Sequence, residues 1–433
     1  MDIPVEQPKF PWGSVPEMIS RSKDMDQVML RIAQNHNWAP VVGGYMMHSP
    51  RLFIQDPEVA KAVMVKDFSV FHDRMSPSLF HNFVAAGSKA DNVMVHQLTL
   101  APGELWRNLR TTFTPIFSSG KMKLMMVFIN ETGQRLTTAM DRLMESGEDF
   151  EAKSIFGKFS MDTIASCAYG VDAKVWEGSS STFLENAKKL FDQPPIQMLK
   201  VVLTAFIPFG PQIMKTFGMS VFLDKETMFF YDIIMQTLKV RGETNVRRND
   251  LIDLMIDAVK GELKEDKEEE DQYHKDAMMA HKVSKKLDEF SIVSTALVIM
   301  IAGYDTTAST LGFTAYELAK NRDIQEKLRE EIDSLVEDDE ENIKYEDLQK
   351  MTYMDQVLSE VLRFHTPLPF LQRTSNEEYR LLQTGTDKVV LLPKATEIWI
   401  NIKALHFNPK YYSNPHSFDP EHFSKEAKAT RHP

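Results

Sequence analysis

The chain has 433 residues, 43% hydrophobic and 26% charged, the balance of a folded protein rather than a disordered one. Its 62 acidic against 50 basic residues give a net charge of −12, which argues against the basic footprint of a nucleic-acid binder. The single cysteine, Cys167, excludes a disulfide framework and any multi-cysteine zinc or iron–sulfur centre.

The N-terminus, MDIPVEQPKFPWGS, has neither a basic nor an apolar stretch of the signal-peptide kind and reads as an irregular lead-in. Residues 46–65 read as the sheet-forming part: the extended run MMHSPRLFIQ, a turn at Asp56-Pro57, then a helix from Glu58. From about 105 to 330 helical periodicity dominates, with segments at 121–146, 151–169, 181–192, 222–241, 249–260 and 288–320. The acidic run 262–271 and the cluster Glu337–Glu341 read as solvated surface. Phe290 to Gly303 (FSIVSTALVIMIAG) falls short of the roughly 20 apolar residues that cross a bilayer, so a buried core helix is expected. Strand signals return at Val389–Leu392 and Glu397–Ile400, between Gly385 and Pro393 and beyond it. This is the pattern of one mainly α domain over 1–433 with small β-sheets, cytosol-facing. Methionine is frequent, at 26 residues, which suits an adaptable apolar pocket or reflects a lineage bias.

Four constellations could carry chemistry. Ala302-Gly303-Tyr304-Asp305-Thr306-Thr307 interrupts an otherwise apolar helix. A mid-helix glycine costs up to about 1 kcal/mol relative to alanine, and several features could compensate. A flat ligand could approach bare backbone, or Thr306 could bond a carbonyl one turn back. Asp305 beside Thr306 could relay protons, or Gly303 could serve a helix crossing with Asp305 paired to a base. Glu360 and Arg363 share a helix face among Val357, Leu358, Val361 and Leu362, so a buried, geometry-fixing ion pair is expected. Trp106 and Arg110 put an indole N–H and a guanidinium at i and i+4, both donors suited to a carboxylate. Arg373 is a lone cation past the Pro367/Pro369 turn. The chain has no G-x-G-x-x-G, P-loop or H-E-x-x-H. His274 and His281 read as solvated, the Asn130-Glu-Thr132 sequon as uninformative, and Cys167 as a small core hydrophobe.

In this order and spacing the motifs resemble the cytochrome P450 family of haem-thiolate monooxygenases. W-x-x-x-R stands at 106–110, A-G-x-D-T-T at 302–307, E-x-x-R at 360–363, an arginine ten residues on, and Phe418-Asp-Pro-Glu-His422-Phe423 matches F-x-P-E-R-F. The flanks WRNLRTTFTPIFSSGKMK and YELAKNRDIQEKLREEID are similar to the animal microsomal branch, which oxidises drugs, toxins and steroids.

The resemblance implies a helical P450-type domain carrying haem b and inserting one oxygen atom of O2 into a lipophilic xenobiotic, steroid or fatty acid. Trp106, Arg110 and Arg373 would bind the haem propionates. Ala302 and Gly303 would lie against the macrocycle, and Asp305 with Thr306 would deliver protons for O–O cleavage. Glu360, Arg363 and His422 would lock the core. The substrate pocket would draw on 75–100, 185–225 and Pro367–Leu371. Electrons would come from NADPH through a flavoprotein reductase docking near Arg107 and Lys121, with cytochrome b5 as a further partner and no nucleic acid. The complete protein would associate with the endoplasmic reticulum membrane on its cytosolic face. His422 stands where the family has arginine, exchanging a permanent fork-shaped cation for a titratable ring. The family's axial cysteine lies in F-x-x-G-x-R-x-C-x-G, downstream of the F-x-P-E-R-F segment, and no such loop occurs before Pro433. The expectation is therefore a fragment without membrane anchor or metal ligand. The alternatives are a catalytically dead relative binding apolar ligands or partners, and a histidine-ligated haem protein using His406, His416, His422 or His432.

Overall fold

The computed structural model describes residues 3–20, 22–177, 181–192, 194–244, 246–260, 262, 287, 289–336, 342–382 and 389–430. Nearly all of the acidic run, the 337–341 cluster, Gly385, His274, His281 and His432 lie outside the described residues. The chain divides into a first unit, residues 1–80 with 353–433, and a second, residues 81–352.

The first unit is built on a four-stranded sheet of order β1-β2-β6-β3 with a separate β4–β5 ladder. The strands are β1 (Val41–Met46), β2 (Ser49–Ile54), β3 (Phe370–Thr374), β4 (Tyr379–Leu382), β5 (Val389–Leu392) and β6 (Glu397–Asn401). β1 and β2 are antiparallel, β2 and β6 parallel, and β6 and β3 antiparallel. Because side chains alternate across a strand, Leu52, Ile54, Ile398 and Ile400 enter one apolar core with Val390 and Leu392. The other face holds Trp399, stacked on Phe370 at 4.1 Å, with Arg51 over its ring and paired to Glu397 at 2.5 Å.

The sheet reading is corrected at its start. Residues 46–55 are not one extended stretch, since Met46 ends β1, Met47 and His48 turn, and β2 follows. Gly43 and Gly44 weaken the strand signal of β1. Asp56 is the cap of the Pro57–Lys61 helix, accepting from the N–H groups of Glu58 and Val59, with proline at the first helical position.

The second unit is helical. Ser119–Ser146, Ala152–Ile164, Asp224–Thr244, Leu251–Lys260 and the 32-residue Glu289–Lys320 helix enclose a core that includes Phe113, Met161, Phe230, Ile252, Val293 and Leu297. The predicted 151–169 helix ends as a π-turn, Ala165–Tyr169, stopped by Gly170. By length and hydropathy alone Phe290–Lys320 could cross a membrane, but more than half of its most apolar window is buried by the protein. Hydrogen bonds fix it there: Tyr169 Oη donates to the Ala296 carbonyl at 3.0 Å and Ser160 Oγ to that of Tyr304 at 3.1 Å. Elsewhere in the unit, Asn130 acts as a surrogate peptide unit. Its amide nitrogen donates to the Ile343 carbonyl at 3.1 Å and its oxygen accepts the Ile343 N–H at 3.3 Å.

Candidate functional site

In the second unit the polar stretch of the long helix is resolved into separate roles. A Cβ on Gly303 would stand 2.9 Å from Ile164 Cδ1, so the missing side chain lets this helix cross Ala152–Ile164 closely. Asp305 pairs with Lys153 of that same neighbour at 2.9 Å, both groups being partly exposed. The crossing and the paired acid are thus present together, and the Asp305 carboxylate turns to Lys153 rather than to the neighbouring Thr306 hydroxyl. Thr306 Oγ1 donates one turn back to the Ala302 carbonyl at 2.5 Å. Thr310 and Thr314 repeat the bond on Thr306 and Thr310, each at 2.8 Å, a ladder at four-residue spacing. Ala302 and Thr307 are exposed although the helix belongs to the core. Tyr304 points the other way, onto Gly157, its phenol pushed up to about 12 by burial and by Asp305.

Trp106 and Arg110 lie on the Gly103–Phe113 helix of the same unit. Trp106 packs against the core, and burial lowers the pKa of the Arg110 guanidinium. Cys167 is in the π-turn, partly buried, its thiol pushed up to about 12 by burial first and by Asp250 next. A metal-ligating cysteine must be a thiolate, and this setting holds a thiol.

In the first unit Glu360 and Arg363 are buried on the Thr352–Phe364 helix. Their contact is bidentate, Nε to Oε2 and Nη2 to Oε1, both at 2.7 Å. Arg363 also donates to the carbonyls of His406, Pro415 and Ser417. Glu360 Oε1 accepts the Asp419 N–H at 2.8 Å and lies 3.1 Å from His422 Nδ1, while His422 Nε2 donates to the Ser413 carbonyl at 2.7 Å. His422 is therefore wired into the same cluster, although a ring replaces the expected guanidinium.

Arg373, on β3, is 7% exposed. It donates from Nη1 to the Gln372 carbonyl, its buried Nε has no partner, and no carboxylate pairs with it among the described residues. Burial, with repulsion from Arg74, pushes its pKa down to about 10. The Thr374 N–H donates to the Asp73 carbonyl at 2.8 Å in an antiparallel bridge, which sets Arg74 alongside Arg373. Two guanidinium groups side by side repel unless an anion joins them. Arg74 was not singled out by the sequence reading, because its position follows from a bridge between residues 301 apart in the chain.

A helical enzyme unit threaded by a long hydroxyl-bearing helix, and a small-sheet unit locked by a buried Glu–Arg–His cluster, match the motif order read from the sequence. The family model for Cytochrome P450 matches residues 3–433, and the chain belongs to the cytochrome P450 family. It is 31% identical over 427 residues to Cytochrome P450 6A1 of Musca domestica, covering 98% of this chain and 78% of that one. Cytochrome P450 6a2 of Drosophila melanogaster is 32% identical over 396 residues, 90% and 73% of the two chains. Cytochrome P450 6B7 of Helicoverpa armigera is 29% identical over 435 residues, 99% and 79%. By family the protein is a haem-dependent monooxygenase of microsomal type, with electrons from NADPH through a reductase.

The residues fit that cofactor in one observable respect: the orphaned Nε of Arg373, beside a second cation, suits the carboxylates haem carries. Replacing Arg373 with leucine removes a buried cation that has no acid partner. The haem-free chain should then be as stable as the parent or more so in urea, while haem affinity, read by titration, falls about ten-fold or more. A clear loss of apo stability with unchanged haem affinity would reverse this assignment.

Proposed function

We propose that residues 1–433 belong to a single P450 domain whose family reaction is the insertion of one oxygen atom of O2 into a lipophilic small molecule of xenobiotic, steroid or fatty-acid type. The observation that carries this reading is the exposed Ala302, whose carbonyl takes the Thr306 hydroxyl, on a helix whose preceding Ser291–Leu297 stretch is buried throughout. Bound haem supplies the redox chemistry and the activation of O2. Trp106 and Arg110 of the second unit, and Arg373 with Arg74 of the first, are the groups that would hold its propionates, and Ala302 would offer a methyl-sized surface to its ring. Thr306 holds a proton on Oγ1, parked on the Ala302 carbonyl and able to turn outward without breaking the helix. Asp305, kept at the helix edge by Lys153, exchanges protons with solvent. Glu360, Arg363 and His422 keep the 406–422 stretch in place.

In an enzyme completed with the family's axial-cysteine loop, Thr306→Ala should leave haem content unchanged and lower the product formed per NADPH consumed several-fold, with an alkoxycoumarin as the lipophilic probe. Unaltered coupling would remove Thr306 from proton handling.

The reductase docks near Arg107 and Lys121, with cytochrome b5 as a second donor, on the cytosolic face of the endoplasmic reticulum. Membrane contact is supported by the Pro195–Phe206 and Gly210–Thr216 helices, which with their flanks expose Ile196, Leu199, Ile207, Phe209 and Phe217. Phe209 and Phe217 are 76% and 73% exposed, where single large apolar groups gain most by entering an interface. Converting both to lysine should lower partition onto phosphatidylcholine vesicles about ten-fold. Full retention on the vesicles would move the contact elsewhere.

A further inference from the structure

The second unit carries an open groove of about 550 Å³ between the Ser119–Ser146 and Ala152–Ile164 helices, closed at one side by Trp176. None of its residues has a part in the reaction above. Arg135, Thr138 and Arg142 follow one stripe of the first helix, the two arginines being two turns or roughly 10 Å apart along its axis. Lys158 faces them from the second helix. In a chain with a net charge of −12, three cations meet a single lining acid, Glu131.

The groove is also organised from behind. Asp162, with a side chain 3% exposed, takes Arg135 Nε at 2.8 Å and Trp176 Nε1 at 3.0 Å on the same oxygen, Oδ2. That contact occupies Nε and leaves the Nη fork of Arg135 for a ligand, in the geometry that binds two oxygens of a carboxylate or phosphate. Trp176 is pinned by its N–H, and Lys158 lies 5.8 Å from its ring centre. Ala139, Leu143 and Ile155 give the rest of the lining an apolar surface. The volume falls in the range of small-molecule sites.

We propose that this groove binds an amphipathic anion, a phosphate or carboxylate head on an alkyl body, with Arg135, Arg142 and Lys158 on the head and Trp176, Leu143 and Ile155 against the chain. The test uses the full chain with haem and dodecyl phosphate as the probe, followed by calorimetry and by amide hydrogen exchange. Dodecyl phosphate should protect amides within 134–143 and 155–160. Arg142→Glu, a change at an exposed position, should weaken binding about ten-fold, and Arg142→Lys should restore most of it. Lys158→Gln, which leaves Asp162 paired, should weaken it in the same sense. Dodecanol and inorganic phosphate, each half of the probe, should bind at least about ten-fold more weakly. A footprint confined to other segments, or equal affinity for Arg142→Glu, would place the probe in another pocket and overturn the proposal. Dodecanol or inorganic phosphate binding as tightly as the whole probe would overturn it as well.

Discussion

Arg363→Leu should leave little folded protein. Arg363 has five N–H donors and the structure uses each: Nε and one of Nη2 on Glu360, the other of Nη2 on Ser417, and both of Nη1 on His406 and Pro415. Removing the side chain strands a carboxylate of zero exposure and orphans three carbonyls. Breaking a buried pair from one side costs about 3–5 kcal/mol, a large part of the 5–15 kcal/mol that usually holds a domain folded. Arg363→Lys should rescue poorly, since an ammonium has three donors and no planar fork. Glu360→Gln should be the milder change, because the amide keeps one acceptor for the Asp419 N–H while losing its charge against Arg363. Urea unfolding and the haem content of purified protein read both. Parent-like stability in Arg363→Leu would mean that the 406–422 stretch is organised by something else.

Gly170→Ala adds one methyl group and should cost about 3 kcal/mol or more. The residue ends the π-turn at φ +63°, in the left-handed region that alanine occupies at a penalty of about 1 kcal/mol or more. Its Cβ would stand 2.6 Å from Asp250 Oδ2 and 2.7 Å from Arg241 Nη2, within the salt bridge itself. That bridge is 2.5 Å long, and Arg241 also takes Asp253 at 2.5 Å. Asp250 has no exposed surface, and burial holds its carboxyl above the ordinary range despite the guanidinium beside it. Prying this pair apart therefore uncovers a carboxylate that is already poorly solvated. Gly133→Ala is the control, a helical glycine whose added Cβ meets nothing within 4 Å and which should be neutral or stabilising by up to about 1 kcal/mol. Equal urea midpoints for the two variants would remove the clash argument.

Sequence periodicity was a good guide wherever an element is long and amphipathic. The 288–320 helix differs from the observed Glu289–Lys320 by one residue, and 181–192 from Thr182–Phe191 by one at each end. It was a poor guide where tertiary pairing decides. β3, with Gln372 and Arg373 in five residues, has little strand character of its own and forms because β6 offers an antiparallel edge. The site followed the same division. Glu360 and Arg363 are three residues apart on one helix, so their contact was legible in the spacing. A crossing at Gly303 with a base for Asp305 was legible as one alternative, but the partners Ile164 and Lys153 were not, since each depends on how two helices cross about 140 to 150 residues apart in sequence. Arg74 was invisible for the same reason.

The threonine ladder of the long helix has a mechanical consequence. At Ala302, Thr306 and Thr310 each carbonyl faces a hydroxyl as well as the backbone N–H of the following turn. A carbonyl with a spare donor can release its N–H without going unsatisfied. Unwinding a single turn here therefore costs less than in the buried Ser291–Leu297 stretch, where the Ser294 and Thr295 hydroxyls meet no carbonyl among the described residues. The helix is stiff at its apolar end and compliant along the three rungs, so a guest molecule lodging against it would find the give concentrated between Ala302 and Thr314.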